Sequence, residues 1–245
     1  MKLCAYLSEI ETFLQQYLRD AHASSYVLGV SGGIDSALAA SLARRAVGKE
    51  HLLALLMPID SDASDLKDGL ELCQKLDIAY RVIDLSDVYH SLISKFKFAD
   101  DASGKMACNN TKVRLRMVTL YAFAQSRGSL VLGTDNADEI HVGYFTKYGD
   151  GAADLAPIAE LTKGEVYEAS RLLGVPTSII ERVPTAGLFA GQTDEGELGI
   201  TYEQLDCYLL GRPVDGKVAE RISYLHRISE HKRSPIPRPK KYLRD

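Results

Sequence analysis

Tyr26-Val27-Leu28-Gly29-Val30-Ser31-Gly32-Gly33-Ile34-Asp35-Ser36-Ala37-Leu38-Ala39-Ala40-Ser41-Leu42-Ala43 is the stretch on which the fold turns. Its first five residues form a short, β-rich apolar run bounded by turn formers, the mark of a buried strand. From Ala37 the residues are strong helix formers, running on to Ala46 before Gly48. Between strand and helix lies Ser31-Gly32-Gly33, where glycine removes the Cβ that blocks positive φ and close backbone approach. A helix starting there aims unpaired N–H groups at whatever lies above it, which makes an anion site. Ser31 and Ser36 add hydroxyl donors. The turn lacks the Lys-Ser/Thr of the usual nucleotide P-loop and the wider glycine spacing of the dinucleotide fold. Asp35 suits a phosphate site if a cation such as Mg²⁺ bridges the two negative groups; the plainer alternative is that it merely caps the helix.

The pattern alternates in both directions from this turn. Leu3, Leu7, Ile10, Phe13, Leu14 and Leu18 share one helical face. Strands are expected at 51–57, 80–85 and 129–133, and helices at 65–75, 87–98, 111–126 and from about Asn136. Further helices are expected at 162–173, with Thr162 and Glu165 as a capping pair, and at 202–210 and 218–229. Such alternation predicts an α/β fold: a doubly wound, mainly parallel sheet with helices on both faces and ligands beyond the strand carboxyl ends. The polar stretch 99–110 and the glycine- and tyrosine-rich stretch 143–154 read as connections. Residues 184–199 read as a mobile active-site loop, and the basic tail 231–245, with prolines at 235, 237 and 239, as extended chain.

Composition narrows the function classes. The 245 residues suit one α/β domain, and a net charge of −4 argues against binding nucleic acid by general electrostatic attraction. Cys4, Cys73, Cys108 and Cys207 are scattered without a C-x-x-C pair, which fits reduced thiols in the cytoplasm. The acidic N-terminus does not read as a signal peptide, and no apolar run is long enough for a membrane span.

Ser31-Gly32-Gly33-Ile34-Asp35-Ser36 resembles the pyrophosphate loop of the N-type ATP pyrophosphatases, the adenine nucleotide alpha-hydrolase-like enzymes that cleave ATP between its α and β phosphates. Within them, the blocks from Asn110 to Met117, Gly133 to Glu139 and Gly143 to Asp154 look like the NAD synthetases. Pro157-Ile158, Leu161-x-Lys163, Pro184 to Leu188 and Gly191 to Glu195 continue the resemblance in order, so that it spans about Tyr26 to Lys232. It implies ATP along Gly29, Val30, Ser31, Gly32, Gly33, Ile34, Asp35 and Ser36, with Thr134, Lys163 and Thr185 on the nucleotide. Asp35, Lys163 and Thr185 would serve the chemistry, and Asp35 and Glu139 would share Mg²⁺. It implies deamido-NAD (nicotinic acid adenine dinucleotide) on Arg114, Lys147, Asp154, His231 and Lys232. Arg and Lys suit the two phosphates and the carboxylate of such a ligand. Arg116, two residues from Arg114, reads as structural or interfacial. Ile34 stands where many relatives have Gln, a departure that bears on packing.

The resemblance further implies an ammonia-dependent ligase. The nicotinate carboxylate attacks the ATP α-phosphorus, releasing pyrophosphate; ammonia then displaces AMP and leaves NAD⁺. Relatives that use glutamine carry an extra amidase domain, for which a single domain over 1–245 leaves no room. A homodimer is expected, with no nucleic-acid or membrane partner. The alternative is another N-type ATP pyrophosphatase adenylating a different acid.

Overall fold

The computed structural model describes residues 2–185, 187, 193–240 and 242. In chain order its elements are α1 (Leu3–Asp20), β1 (Tyr26–Gly29), α2 (Ile34–Val47), a 3-10 turn (Lys49–His51), β2 (Leu52–Leu56), α3 (Ala63–Leu76), β3 (Ala79–Val82), α4 (Ser86–Phe96), α5 (Ala102–Arg127) and β4 (Leu130–Leu132). The second half is helical: α6 (Ala137–Val142), α7 (Lys163–Leu172), α8 (Thr177–Ile180), α9 (Asp194–Leu198), α10 (Tyr202–Leu209), α11 (Gly216–Ile228) and α12 (Glu230–Arg233).

The four strands are parallel in the order β3-β2-β1-β4. Period-two alternation divides their side chains between two cores. Leu28, Leu52, Ala54 and Leu56 pack with Leu14, Leu38, Leu42 and Val166 from α1, α2 and α7. Val27, Leu53, Leu55 and Val131 pack with Tyr89 and Ala124 from α4 and α5 on the other face. Helices therefore cover both faces, as the alternation predicts. A third cluster, with Val142, Leu198, Tyr202, Leu205 and Ile222, joins α6, α9, α10 and α11 beyond the carboxyl ends of the strands.

Three expectations change. The polar stretch 99–110 is mostly helix: Asp101 accepts the Gly104 N–H at 2.8 Å and caps α5 nine residues earlier than the apolar pattern suggests. Its first turns line a cavity rather than a core, so they carry no apolar stripe. The tail begins as helix α12, because Arg233 donates to the His226 and Ile140 carbonyls and to Glu230 and so ties residues 230–233 onto the body. Within 184–199, Thr193 caps the short helix α9; Ala186 and residues 188–192 lie outside the described residues.

Candidate active site

The Ser-Gly-Gly turn opens into a cavity of about 1220 Å³ at the carboxyl end of the sheet. Gly32 has φ +85°, and a Cβ there would lie 2.5 Å from the Asp65 carbonyl oxygen, so both its conformation and its neighbour demand glycine. Ser31 and Ser36 brace the turn: their hydroxyls are 3.1 Å apart, Gly33 N–H donates to Ser31 Oγ, and Ser36 Oγ donates to the Gly33 carbonyl. No side chain caps the start of α2. Asp35 instead reaches across the cavity floor, accepting from Asn136 Nδ2 at 2.8 Å and from Lys163 Nζ at 2.6 Å. The plainer capping alternative for Asp35 is thereby excluded.

Asn136 and Glu139 form a capping box at α6: Asn136 accepts the Glu139 N–H, and Glu139 Oε2 accepts the Asn136 N–H at 3.1 Å. The other oxygen, Glu139 Oε1, faces Lys163 Nζ at 3.4 Å and accepts from the Tyr202 hydroxyl at 3.3 Å. Lys163 is only 2% exposed, with its ammonium 4.7 Å from the Tyr202 ring centre. Asp194 adds a carboxylate, accepting from the Tyr202 hydroxyl at 2.9 Å and the Tyr144 hydroxyl at 3.2 Å.

The electrostatics follow from this crowding. Burial, followed by the Asp35 charge, pushes Glu139 up to about 7. Burial also raises Asp194, and it raises Asp135 well above the ordinary range with help from Asp150. Burial opposes the charge on Lys163, but Asp35 and Glu139 together outweigh it and hold the ammonium above its ordinary value. One ammonium thus faces Asp35, Glu139 and Asp194. Hard carboxylate oxygens in excess suit a hard cation such as Mg²⁺, which takes one or two carboxylates and completes its shell with phosphate and water. Among the described residues no three His, Cys, Asp or Glu side chains form an all-protein metal cage.

The rim around Lys232 is cationic. Arg114 donates through Nε and Nη2 to the Lys147 carbonyl, each at 3.2 Å, and Lys147 Nζ donates to the His231 carbonyl at 2.5 Å. Lys232 lines the cavity and donates to the carbonyls of Gly143 and Phe145 at 2.7 and 2.6 Å. Arg114, Lys147, His231 and Lys232 are therefore neighbours despite their separation in sequence. Of the five residues expected on the dinucleotide only Lys232 lines the cavity; Arg114, Lys147 and His231 cluster beside it, and Asp154 stands apart, its carboxylate accepting from Val131 N–H at 2.7 Å and the Tyr121 hydroxyl. Arg116 does line the cavity, with Nε bonded to the Met57 carbonyl at 3.0 Å.

The cavity wall also includes Gly29, Val30, Ser31, Gly33, Ile34, Ser36, Thr134 and Thr185. Sequence reasoning did not single out Asn136, Tyr202 or Asp194 as site residues. Asn136 carried the one readable signal, an N-cap residue three positions before Glu139.

The NAD synthase family profile matches residues 6–236. The NH(3)-dependent NAD(+) synthetase of Mesoplasma florum is 47% identical over 244 residues, the full length of both chains. Among solved structures, the NMN synthetase from Francisella tularensis superposes with a TM-score of 0.92 at 40% identity, over 98% of this chain and 100% of that one. An NH3-dependent NAD synthetase from Campylobacter jejuni superposes with a TM-score of 0.82 at 27% identity, again over 98% and 100%.

Proposed function

The chain belongs to the NAD synthase family, and from that premise we propose that it amidates deamido-NAD with ammonia at the expense of ATP, yielding NAD⁺, AMP and pyrophosphate. The observation that carries this reading is one cavity with a phosphate turn, an acidic floor and Lys232 on its wall, with Arg114, Lys147 and His231 clustered beside that lysine. Two phosphorylated ligands can meet there.

The chemistry asks for positioning and charge neutralisation more than covalent help. Ser31, Gly33 and Ser36 would seat the ATP phosphates, with Thr134, Lys163 and Thr185 completing the nucleotide site. Mg²⁺ held by Asp35 and Glu139 would neutralise the triphosphate when bound. Arg114, Lys147, His231 and Lys232 would grip the dinucleotide and set its nicotinate carboxylate in line with the α-phosphorus. That oxygen forms the new P–O bond as the α–β bridge breaks and pyrophosphate leaves. Ammonia then adds to the acyl carbon and loses a proton, and AMP departs. Asp154, whose carboxylate is bonded to Val131 of β4, would act on the dinucleotide only by orienting the 143–154 segment.

Ammonia as the nitrogen source is supported by the names of relatives that match along their whole length. A homodimer is supported by α5, which leaves Val118 exposed on a long helix. Four free cysteines accord with work in the cytoplasm, and no helix among the described residues is long and apolar enough to cross a membrane.

The resemblance to an NMN synthetase favours a second reading, in which nicotinic acid mononucleotide is the acid activated. One assay decides: ATP, Mg²⁺ and ammonium are supplied with either the dinucleotide or the mononucleotide, and AMP and the amide are quantified. Higher kcat/KM for the dinucleotide is expected. Folded protein that makes neither amide would defeat both readings.

A further inference from the structure

Lys163 is the first residue of α7, so its place in the cavity depends on how that helix begins. Thr162 and Glu165 form a capping box there, filling the N–H groups of Thr162 and Glu165. The two N–H groups between them are filled from other helices. Lys163 N–H donates to Asp138 Oδ2 of α6 at 2.6 Å, and Gly164 N–H donates to Asp206 Oδ2 of α10 at 2.9 Å. The first turn of α7 is thus tied at consecutive residues to the helix that carries Glu139 and to the helix that carries Tyr202.

Two further observations show that this arrangement is specific. A Cβ on Gly164 would lie 2.4 Å from Asp206 Oδ2, so only glycine lets that carboxylate reach the backbone. The remaining oxygens, Asp138 Oδ1 and Asp206 Oδ1, are buried without a donor among the described residues, although the two carboxyl groups are within hydrogen-bonding reach of each other. Burying two acidic groups in contact is costly, and a single Ser or Asn cap would satisfy a helix start with less. Neither aspartate lines the cavity.

We propose that Asp138 and Asp206 are positioning residues that fix the first turn of α7 and thereby hold the Lys163 ammonium between Asp35 and Glu139, where it meets the ATP phosphates. This rests on the reading of Lys163 as a phosphate contact. The negative charge that this pair shares also complements the positive end of the helix dipole. Lys163 gains most, because its own backbone N–H is one of the two that are held, and small displacements of a charge-bearing group are expensive in a preorganised site.

The test is a double-mutant cycle on the full chain, with Mg·ATP affinity measured by titration calorimetry and the melting temperature recorded for every variant. Asp206→Ala is expected to weaken ATP binding about tenfold. Asp206→Asn keeps an acceptor for Gly164 N–H and should rescue it. In a Lys163→Ala background, Asp206→Ala should cause no further loss of affinity, although the melting temperature falls in both backgrounds. An equal loss of affinity with and without Lys163 would overturn the proposal, as would normal affinity in an Asp206→Ala protein that melts early. If Lys163→Ala alone leaves ATP affinity unchanged, the phosphate-contact reading of Lys163 fails instead, and the proposal with it. Should Asp206→Ala not fold, Gly164→Ala displaces the same carboxylate and enters the same cycle.

Discussion

The acidic floor and the basic rim of the cavity hold their cations in opposite ways. Lys163 is buried against the carboxylates of Asp35 and Glu139, with Asp194 close by. Arg114, Lys147 and Lys232 instead bond to neutral backbone carbonyls. A carboxylate balances the charge of the cation it accepts from, whereas a carbonyl leaves that charge unbalanced, so a cation on a carbonyl gains by exchanging it for a phosphate. The rim is therefore prepared for an anion. The floor has more negative than positive charge, so it accepts a triphosphate only together with a further cation. On the proposed reading, the metal-loaded nucleotide takes the floor and the dinucleotide the rim.

The strongest way to break this comparison is Asp35→Asn. It removes the carboxylate nearest Lys163 and one of the two carboxylates proposed to hold Mg²⁺, so turnover is expected to fall on the order of a hundredfold or more. Stability should drop by about 2 kcal/mol, because a buried ammonium loses its best partner. Product assays and denaturant melts measure the two effects separately; normal turnover would remove Asp35 from the chemistry.

Lys232→Ala comes next. It should raise the KM for the dinucleotide about tenfold, roughly 1.4 kcal/mol, and leave the KM for ATP nearly unchanged. A parallel rise for both substrates would show that floor and rim are not separate sites.

The rim can also be titrated. Burial lowers the Lys232 pKa below its ordinary 10.5, against the opposing influence of Asp150. A base depressed in this way loses its charge at lower pH than a free lysine, so the dinucleotide KM should climb with rising pH before 10.5 is reached. Lys232→Arg should move that climb to higher pH. For stability the sign is opposite: between the folded and unfolded pKa the native state binds fewer protons, so this group favours folding more as pH rises.

The smallest effect is expected at Gly133, where a Cβ would lie 2.9 Å from Ala153 Cβ. Gly133→Ala should destabilise the protein by about 1–2 kcal/mol and change both KM values less than either cavity substitution does. Thermal melts alongside kinetics would show whether the segment beneath the rim acts mainly as packing.

The sheet was legible because β1, β2 and β4 carry unbroken apolar runs and the crossovers carry helical periodicity. The Ser31–Ser36 turn was legible because few geometries call for that residue order. The start of α5 was not, since residues facing a cavity need no apolar stripe. Helix α12 was hidden for another reason: its stability comes from Arg233 bonding to carbonyls of residues 140 and 226, contacts that no local window contains. In the site, Asp35, Glu139 and Lys163 announced themselves by resemblance, and the structure brings the three side chains together. Asp206 could not be anticipated in the same way, because an aspartate on a helical face reads as a solvated charge until α7 is seen to begin against it.

Strand β3 has a consequence of a different kind. It borders the sheet, pairs with β2 alone among the named strands, and exposes all four of its residues, Tyr80 and Val82 among them. An apolar border strand is a template on which another chain can add. Here its brevity and the charge of Arg81 are the safeguards against aggregation at high concentration. Engineering that lengthened this strand or neutralised Arg81 would trade colloidal solubility for sheet area, even with every active-site residue left in place.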